Sequence, residues 1–220
     1  MININIPSLA IIGGSGVGKT TFIELLQVKY KKLTGFTLNY VNLEVFCKNL
    51  LLESSDESLK CQQKLVDVLG HQYFPIGWNY IEYVKLILSS SDKLHTAQLI
   101  ISNYLLSYID DAAVDMYLTS QRIAIFEVNV LLEWRLKDVF NNKILIRSSY
   151  KDCKARLKNN KSWNDNKIDV FFEAQIGEIK RIYNDKYVVT IDNTETLLEL
   201  NEKVDDYLKV FLGRYPPYQV

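Results

Sequence analysis

Gly13-Gly14-Ser15-Gly16-Val17-Gly18-Lys19-Thr20 has the spacing G-x-x-x-x-G-K-[S/T], and its flanks are the ones that spacing needs. Before it, the apolar run Leu9-Ala10-Ile11-Ile12 reads as a buried strand. After it, Thr20 to Leu33 carries Phe22, Leu25, Leu26 and Val28 on a helical repeat, so the stretch predicts a strand turning sharply into a helix. The glycines let the backbone curl until successive N–H groups point inward at a phosphate chain, and the positive end of the helix dipole adds to that field. Lys19 is expected to reach the outer phosphates as a point charge and the Thr20 hydroxyl to hold Mg²⁺. With Thr21 closing the turn, the expected phosphate-binding set is Gly13, Gly14, Ser15, Gly16, Val17, Gly18, Lys19, Thr20 and Thr21. A glycine-rich turn of no function is the bland alternative, and it gives no reason for a strand and a helix on its two sides. The stretch marks a chain that binds a nucleoside triphosphate or descends from chains that did.

At 220 residues the chain is long enough for one α/β domain with inserted helical pieces and a real core. Basic and acidic residues number 26 each, so nothing in the balance suggests a nucleic-acid coat or an anionic membrane surface as partner. Cys47, Cys61 and Cys153 are odd in number, widely spaced and without a C-x-x-C pair. That suits a reducing cytoplasm and argues against a disulfide framework or a structural zinc. Met1 to Asn5 has no basic leader and no segment approaches eighteen consecutive apolar residues, so neither a signal peptide nor a membrane span is expected.

Beyond the first helix, Thr34-Gly35 predicts its end and Phe36 to Val41 a second strand. Glu44 follows at the carboxyl end of that strand, the edge that faces the ligand crevice in an open parallel sheet. Two readings of it stand. It can take a proton from a substrate hydroxyl as a base, or it can sit in the first turn of the helix Val45 to Leu52 and favour the dipole. Ser55 to Ser91 is helical in its bodies: Leu59, Leu65, Val66 and Leu69 recur on one face, Gly70 can stop that helix, and Tyr80, Tyr83, Val84 and Ile87 continue another. His71 and His95 have no partner at metal-ligand spacing and read as surface or packing residues. Ser91-Asp92 caps a long helix with Ala97, Ile101, Tyr104, Tyr108 and Ala112 on one stripe, which reads as core packing before it reads as a stacking platform.

Arg122 to Val128 is a near-continuous apolar run ending in an acid, the pattern of a central parallel strand. Glu127 is placed at its end beside the phosphate loop, where an acid steadies Mg²⁺. Lys143 to Arg147 is the next strand. The basic run that follows, Lys151, Lys154, Arg156, Lys158, Lys161 and Lys167 with Trp163 among them, would ordinarily be a solvated helix face. Its place after a sheet strand, where a phosphate-clamping lid would attach, favours a lid. Ile168, Phe172, Ile176, Ile179 and Tyr183 mark an amphipathic helix, Lys186 to Ile191 a last strand, and Leu197, Leu200, Val204, Leu208 and Phe211 a final helix.

Five strands with helices between them, a phosphate loop at the first turn and a basic segment after the fourth strand make the plan of a small P-loop kinase. The expected fold is an α/β three-layer sandwich on a five-stranded parallel sheet. Its nucleotide-binding core is 1–44 and 120–220, with a helical substrate-binding insertion at 45–119 and a short lid at 150–167. Several stretches resemble dephospho-coenzyme A kinase over most of the chain. Ala10 to Thr20 is similar to that family's opening, and Tyr40-Val41-Asn42-Leu43-Glu44 falls at its Asp-Ala-Asp stretch. Glu127-Val128-Asn129-Val130-Leu131-Leu132-Glu133 resembles its acid-x-Pro-Leu-Leu-x-Glu segment, and Arg156-Leu157 the Arg-Leu of its lid helix. Gln175 resembles its Gln, and Tyr187 to Asn193 its closing Ile-Asp-Asn.

The resemblance implies ATP and Mg²⁺ as cofactors and the ribose 3′-hydroxyl of dephospho-CoA as acceptor. It implies Lys19, Glu44 and Arg156 as catalytic residues, Thr20 and Glu127 as the metal-holding pair, and Asn193 near the adenine. It also implies a small-molecule acceptor as partner, and a monomer or weak oligomer is expected, with neither nucleic acid nor membrane as partner from the charge balance and the lack of a long apolar run. The chain departs from the pattern in places: Glu44 replaces an Asp and Asn129 a Pro, Ser102-Asn103 stands for a His-Pro pair, and expected arginines fall near Tyr80 and Asn160. Those positions hold the phosphorylated substrate in the family, so a kinase with another acceptor, or a nucleotide-binding relic without transferase activity, stays open. A GTPase or hydrolysing motor is disfavoured, because Asn164-Asp165-Asn166-Lys167 does not supply an Asn-Lys-x-Asp guanine-reading stretch in a suitable loop.

Overall fold

A computed structural model of the chain describes residues 8–118, 123–129, 136, 139–140, 142–161, 164–166, 168–170, 172–173, 175–176, 188–194 and 196–215. Every residue of the first strand, β1 (Ser8–Gly13), is buried, as an apolar run without alternation requires when helices cover both faces of a sheet. The chain continues through α1 (Lys19–Thr34), β2 (Asn39–Asn42), α2 (Leu43–Leu52), α3 (Asp56–Leu69), a short 3₁₀ turn, α4 (Tyr80–Leu88) and α5 (Ser91–Leu118). It then returns to the sheet with β3 (Ala124–Asn129) and β4 (Asn142–Arg147), followed by α6 (Tyr150–Lys161), β5 (Val188–Asp192) and α7 (Leu197–Arg214).

The five strands are parallel in the order β2-β3-β1-β4-β5. Because side chains alternate across a strand, the sheet feeds two cores. Ala10, Ile12, Val41, Phe126, Val128 and Leu145 face the side covered by α2 to α5. Leu9, Ile11, Ile125, Ile144 and Ile146 face the side covered by α1 and α7. The order reverses at β1, whose neighbours β3 and β4 lead away in opposite directions, so the crevice for a ligand opens at the carboxyl ends of β1 and β3. The expected three-layer α/β sandwich on a five-stranded parallel sheet is what the chain forms.

Several local expectations are corrected. Val28 is exposed, because the buried stripe of α1 is Phe22, Ile23, Leu26 and Tyr30 and Val28 lies about half a turn away from it. Leu59 sits at the margin of the α3 stripe of Ser58, Cys61, Gln62, Leu65, Val66 and Leu69 and is half exposed. Gln62 belongs to the buried stripe because its amide is satisfied: Nε2 donates to the Leu50 and Glu53 carbonyls and ties off the end of α2. The second strand begins at Asn39, where its ladder with β3 starts, and not at Phe36. Ser90 receives the first-turn amide of α5, one residue ahead of the expected cap. Leu197 is exposed, whereas Leu200, Val204, Leu208 and Phe211 are buried behind a Thr196/Glu199 capping box.

Gly35 and Gly70 stop α1 and α3 as expected, both with positive φ. The Tyr108 ring stacks on Phe46 with centroids 4.1 Å apart, which makes that part of the tyrosine stripe packing. Ile179, Tyr183, Glu133, Trp163 and Lys167 lie outside the described residues. Among the described residues no helix is long and apolar enough to cross a membrane.

Candidate active site

The loop between β1 and α1 takes the shape its glycines allow. Gly16 and Gly18 have φ of 80° and 98°, the left-handed region that other residues enter only at a cost. Gly18 is the N-cap of α1, no side chain caps that helix start, and its first turn carries no acid, so the first amides of α1 face the loop. A β-carbon on Gly13 would stand 2.7 Å from Val17 Cγ2 and 2.8 Å from the backbone carbonyl of Ile146. That carbonyl belongs to β4 and cannot yield. Gly13→Ala is therefore expected to cost about 1–3 kcal/mol of stability and to distort the loop enough to abolish nucleotide binding. Urea unfolding and titration with a fluorescent nucleotide read the two effects, and a variant that binds as wild type would remove the packing argument.

Four of the sequence-predicted residues meet at the carboxyl ends of β1, β2 and β3. Lys19, 5% exposed, donates from Nζ to the Gly13 and Gly14 carbonyls at 3.1 Å each. The same ammonium lies 3.7 Å from Glu44 Oε2 and 3.9 Å from Glu127 Oε1. Glu127 is buried, in register with Ile11 of β1 and Asn42 of β2, and accepts from Thr20 Oγ1 at 3.1 Å. Glu44 stands in the first turn of α2, where it favours the helix dipole, and its side chain, still partly open to solvent, reaches the Lys19 ammonium.

Two neighbours escaped the sequence reading. The Tyr40 hydroxyl donates to Glu127 Oε2, and Asn42 Nδ2 donates to the same oxygen at 3.2 Å and to the Tyr40 oxygen at 2.9 Å. Asn42 Oδ1 at the same time caps α2 through the Val45 amide at 3.0 Å. Burial, and then the hydrogen bond to Glu127, push the Tyr40 phenol well above its usual range, so it stays a donor. A period-2 pattern places Tyr40 and Asn42 on one face of β2, but only the register with β3 brings that face to Glu127.

The third group arrives from the far end of the chain. Arg156 on α6 donates to the carbonyls of Gly16, Val17 and Asn193 at 3.2–3.3 Å and to Ser148 Oγ at 3.1 Å. Asn193 Nδ2 adds a bond to the Val17 carbonyl at 2.8 Å. In this conformation Arg156 and Asn193 hold the 13–20 loop from behind. The basic face beyond them is partly committed: Lys154 and Lys158 lie 2.7 and 2.8 Å from Asp165, and Lys154 is also 3.2 Å from Asp169. The hydrogen bonds to Asp165 and Tyr150 raise the Lys154 pKa further. Gln175 Oε1 accepts the Ser15 amide at 3.3 Å.

The donor set fits the cofactors its motif implies. A hydroxyl on Thr20 beside the carboxylate of Glu127 is the hard-oxygen pair that Mg²⁺ takes from a protein when phosphates and water supply the rest. The curled loop at a helix start is the matching anion cradle. Among the described residues no group of three His, Cys, Asp or Glu gathers for a metal.

No protein-family model and no curated protein sequence matches the chain. Solved structures do. TT1252 from Thermus thermophilus superposes with a TM-score of 0.65 at 13% identity, over 93% of this chain and 97% of that one. A dephospho-CoA kinase from Campylobacter jejuni superposes with a TM-score of 0.50 at 11% identity, over 93% of this chain and 96% of that one. At such identities the likeness is one of fold: the chain shares the five-stranded α/β architecture of these structures.

Proposed function

We propose that this chain is a cytoplasmic, ATP-dependent small-molecule kinase, with the ribose 3′-hydroxyl of dephospho-CoA as the first acceptor to test. The observation that carries the proposal is the gathering of Lys19, Thr20, Glu127 and Glu44 at one point of the sheet edge, with Lys19 Nζ 3.7 and 3.9 Å from the two carboxylates. Backbone amides of Gly14 to Thr20 would cradle the β-phosphate, and Lys19 would stabilise the charge on the transferring group. Thr20 and Glu127 would hold Mg²⁺, which would offset the negative charge of the phosphates. Glu44 would take the proton from the acceptor hydroxyl. Arg156, with Asn193 on the adenine side, keeps the loop in shape and is available to a phosphate once the lid at 150–167 shifts. The helices of 45–119 would hold the acceptor against this edge.

A second reading concerns the acceptor. Ser102, at the position where the resemblance leads one to expect a substrate-holding residue, is buried on α5 and bonds the Leu99 carbonyl. This favours a hydroxyl acceptor other than dephospho-CoA. Turnover of labelled ATP, alone, with dephospho-CoA and with a panel of alcohols and nucleosides, tests both. Stimulation by dephospho-CoA is the first expected result, and stimulation by another alcohol moves the assignment to the second reading. Binding of ATP with no acceptor-stimulated turnover would refute the kinase proposal and leave a nucleotide-binding relic.

A further inference from the structure

Gln175 is 1% exposed, and its two side-chain atoms are unequally served. Oε1 accepts the Ser15 N–H at 3.3 Å, in the middle of the phosphate loop. That contact fixes the amide's orientation, since an N–H can donate only to the oxygen. Nε2 is left buried without a hydrogen-bond partner among the described residues. Native folds rarely bury a donor unpaired, and an exception calls for a reason. The residue is also held firmly in place. Tyr150 OH and Lys154 Nζ bond Asp169, Lys154 and Lys158 pair with Asp165, and the Tyr150 ring meets Phe172 edge to face at 5.0 Å. These contacts bind the stretch carrying Gln175 to α6, and α6 packs so closely on the loop that a β-carbon at Gly16 would meet Leu157 Cγ and the Cys153 carbonyl at 3.0 Å.

We infer that Gln175 is a binding residue for polyphosphate. With the loop in its present conformation, Oε1 stands in for an anion on the Ser15 amide. A phosphate oxygen arriving at that amide displaces Oε1, and the side-chain amide turns over to donate Nε2 to the same oxygen. One anion thereby satisfies the Ser15 N–H and the orphaned donor together, a charge-assisted arrangement that neither group has on its own. The inference rests on the reading of Gly13 to Thr20 as a polyphosphate cradle and adds a recognition residue 160 positions from Ser15 in sequence.

Calorimetric titration of the full chain with inorganic tripolyphosphate tests it, using wild type, Gln175→Leu, Gln175→Glu and Lys19→Met, with ligand-free melting recorded for each. Gln175→Leu is expected to weaken binding about tenfold, in line with the loss of one hydrogen bond to a charged group. Gln175→Glu keeps an acceptor for Ser15 but has no donor, and is expected to bind at least as weakly while melting within a few degrees of wild type. If the Gln175 variants bind as tightly as wild type whereas Lys19→Met does not, the cradle stands and the role of Gln175 is overturned. Lower melting with unchanged affinity of the folded protein overturns it too, because Gln175 is then only a packing residue. A wild type that binds no tripolyphosphate through Lys19 overturns the cradle itself and this inference with it.

Discussion

Replacing Lys19 by methionine is expected to lower phosphoryl transfer by about a thousandfold, the scale on which enzymes lose rate when one preorganised donor to developing charge is removed. Methionine keeps most of the aliphatic stem in its buried slot and removes only the ammonium. Without it, Glu44 and Glu127, at 3.7 and 3.9 Å from Nζ, leave net negative charge where the proposed triphosphate would enter. The fold is expected to survive, because Glu127 keeps hydrogen bonds from Thr20, Tyr40 and Asn42. Steady-state turnover and far-ultraviolet circular dichroism read the two halves of this expectation. Undiminished turnover in a folded variant would remove Lys19 from the chemistry.

Glu44→Gln is expected to act differently. Glutamine fills the same space and cannot accept a proton, so turnover is expected to fall about a hundredfold or more, the range over which a positioned general base acts. ATP affinity is expected to hold or to rise slightly, since the substitution removes a carboxylate that competes with phosphate for the Lys19 ammonium. The split between kcat and nucleotide Kd is the diagnostic. Were Glu44 only a favourable charge in the first turn of α2, the substitution would cost about 0.3–1 kcal/mol of stability and leave turnover untouched. Equal losses of turnover and ATP affinity would also dismiss the base.

The parts of the site that the sequence announced are those whose geometry is local. Lys19 and Thr20 follow from eight consecutive residues, and the curl of Gly16 and Gly18 is a property of glycine itself. Glu127 was legible because an apolar run ending in an acid has one natural place in a parallel sheet. Tyr40 and Asn42 were not, because their role depends on a strand pairing across 85 or more residues. The basic run is legible in its charge and its place after β4, but not in its pairing. Two of its lysines are paired with Asp165 and Asp169, acids that a list of positive residues passes over. The helix-stripe errors share one cause: Val28 and Leu59 have the right residue type for a stripe, but the face a helix turns to its neighbours is set by packing, not by residue type.

The support behind the loop has a further consequence for how the protein matures. Asn193 bonds Val17 across 176 positions and Arg156 bonds Gly16 across 140, so the loop's backing is supplied by residues made long after it. During synthesis the first strand and helix emerge long before those residues, and contacts of such separation form late. The shape of the loop is thereby coupled to synthesis of the second half of the fold, and a ribosome-bound fragment ending before α6 would carry the whole signature and lack the brace that shapes it.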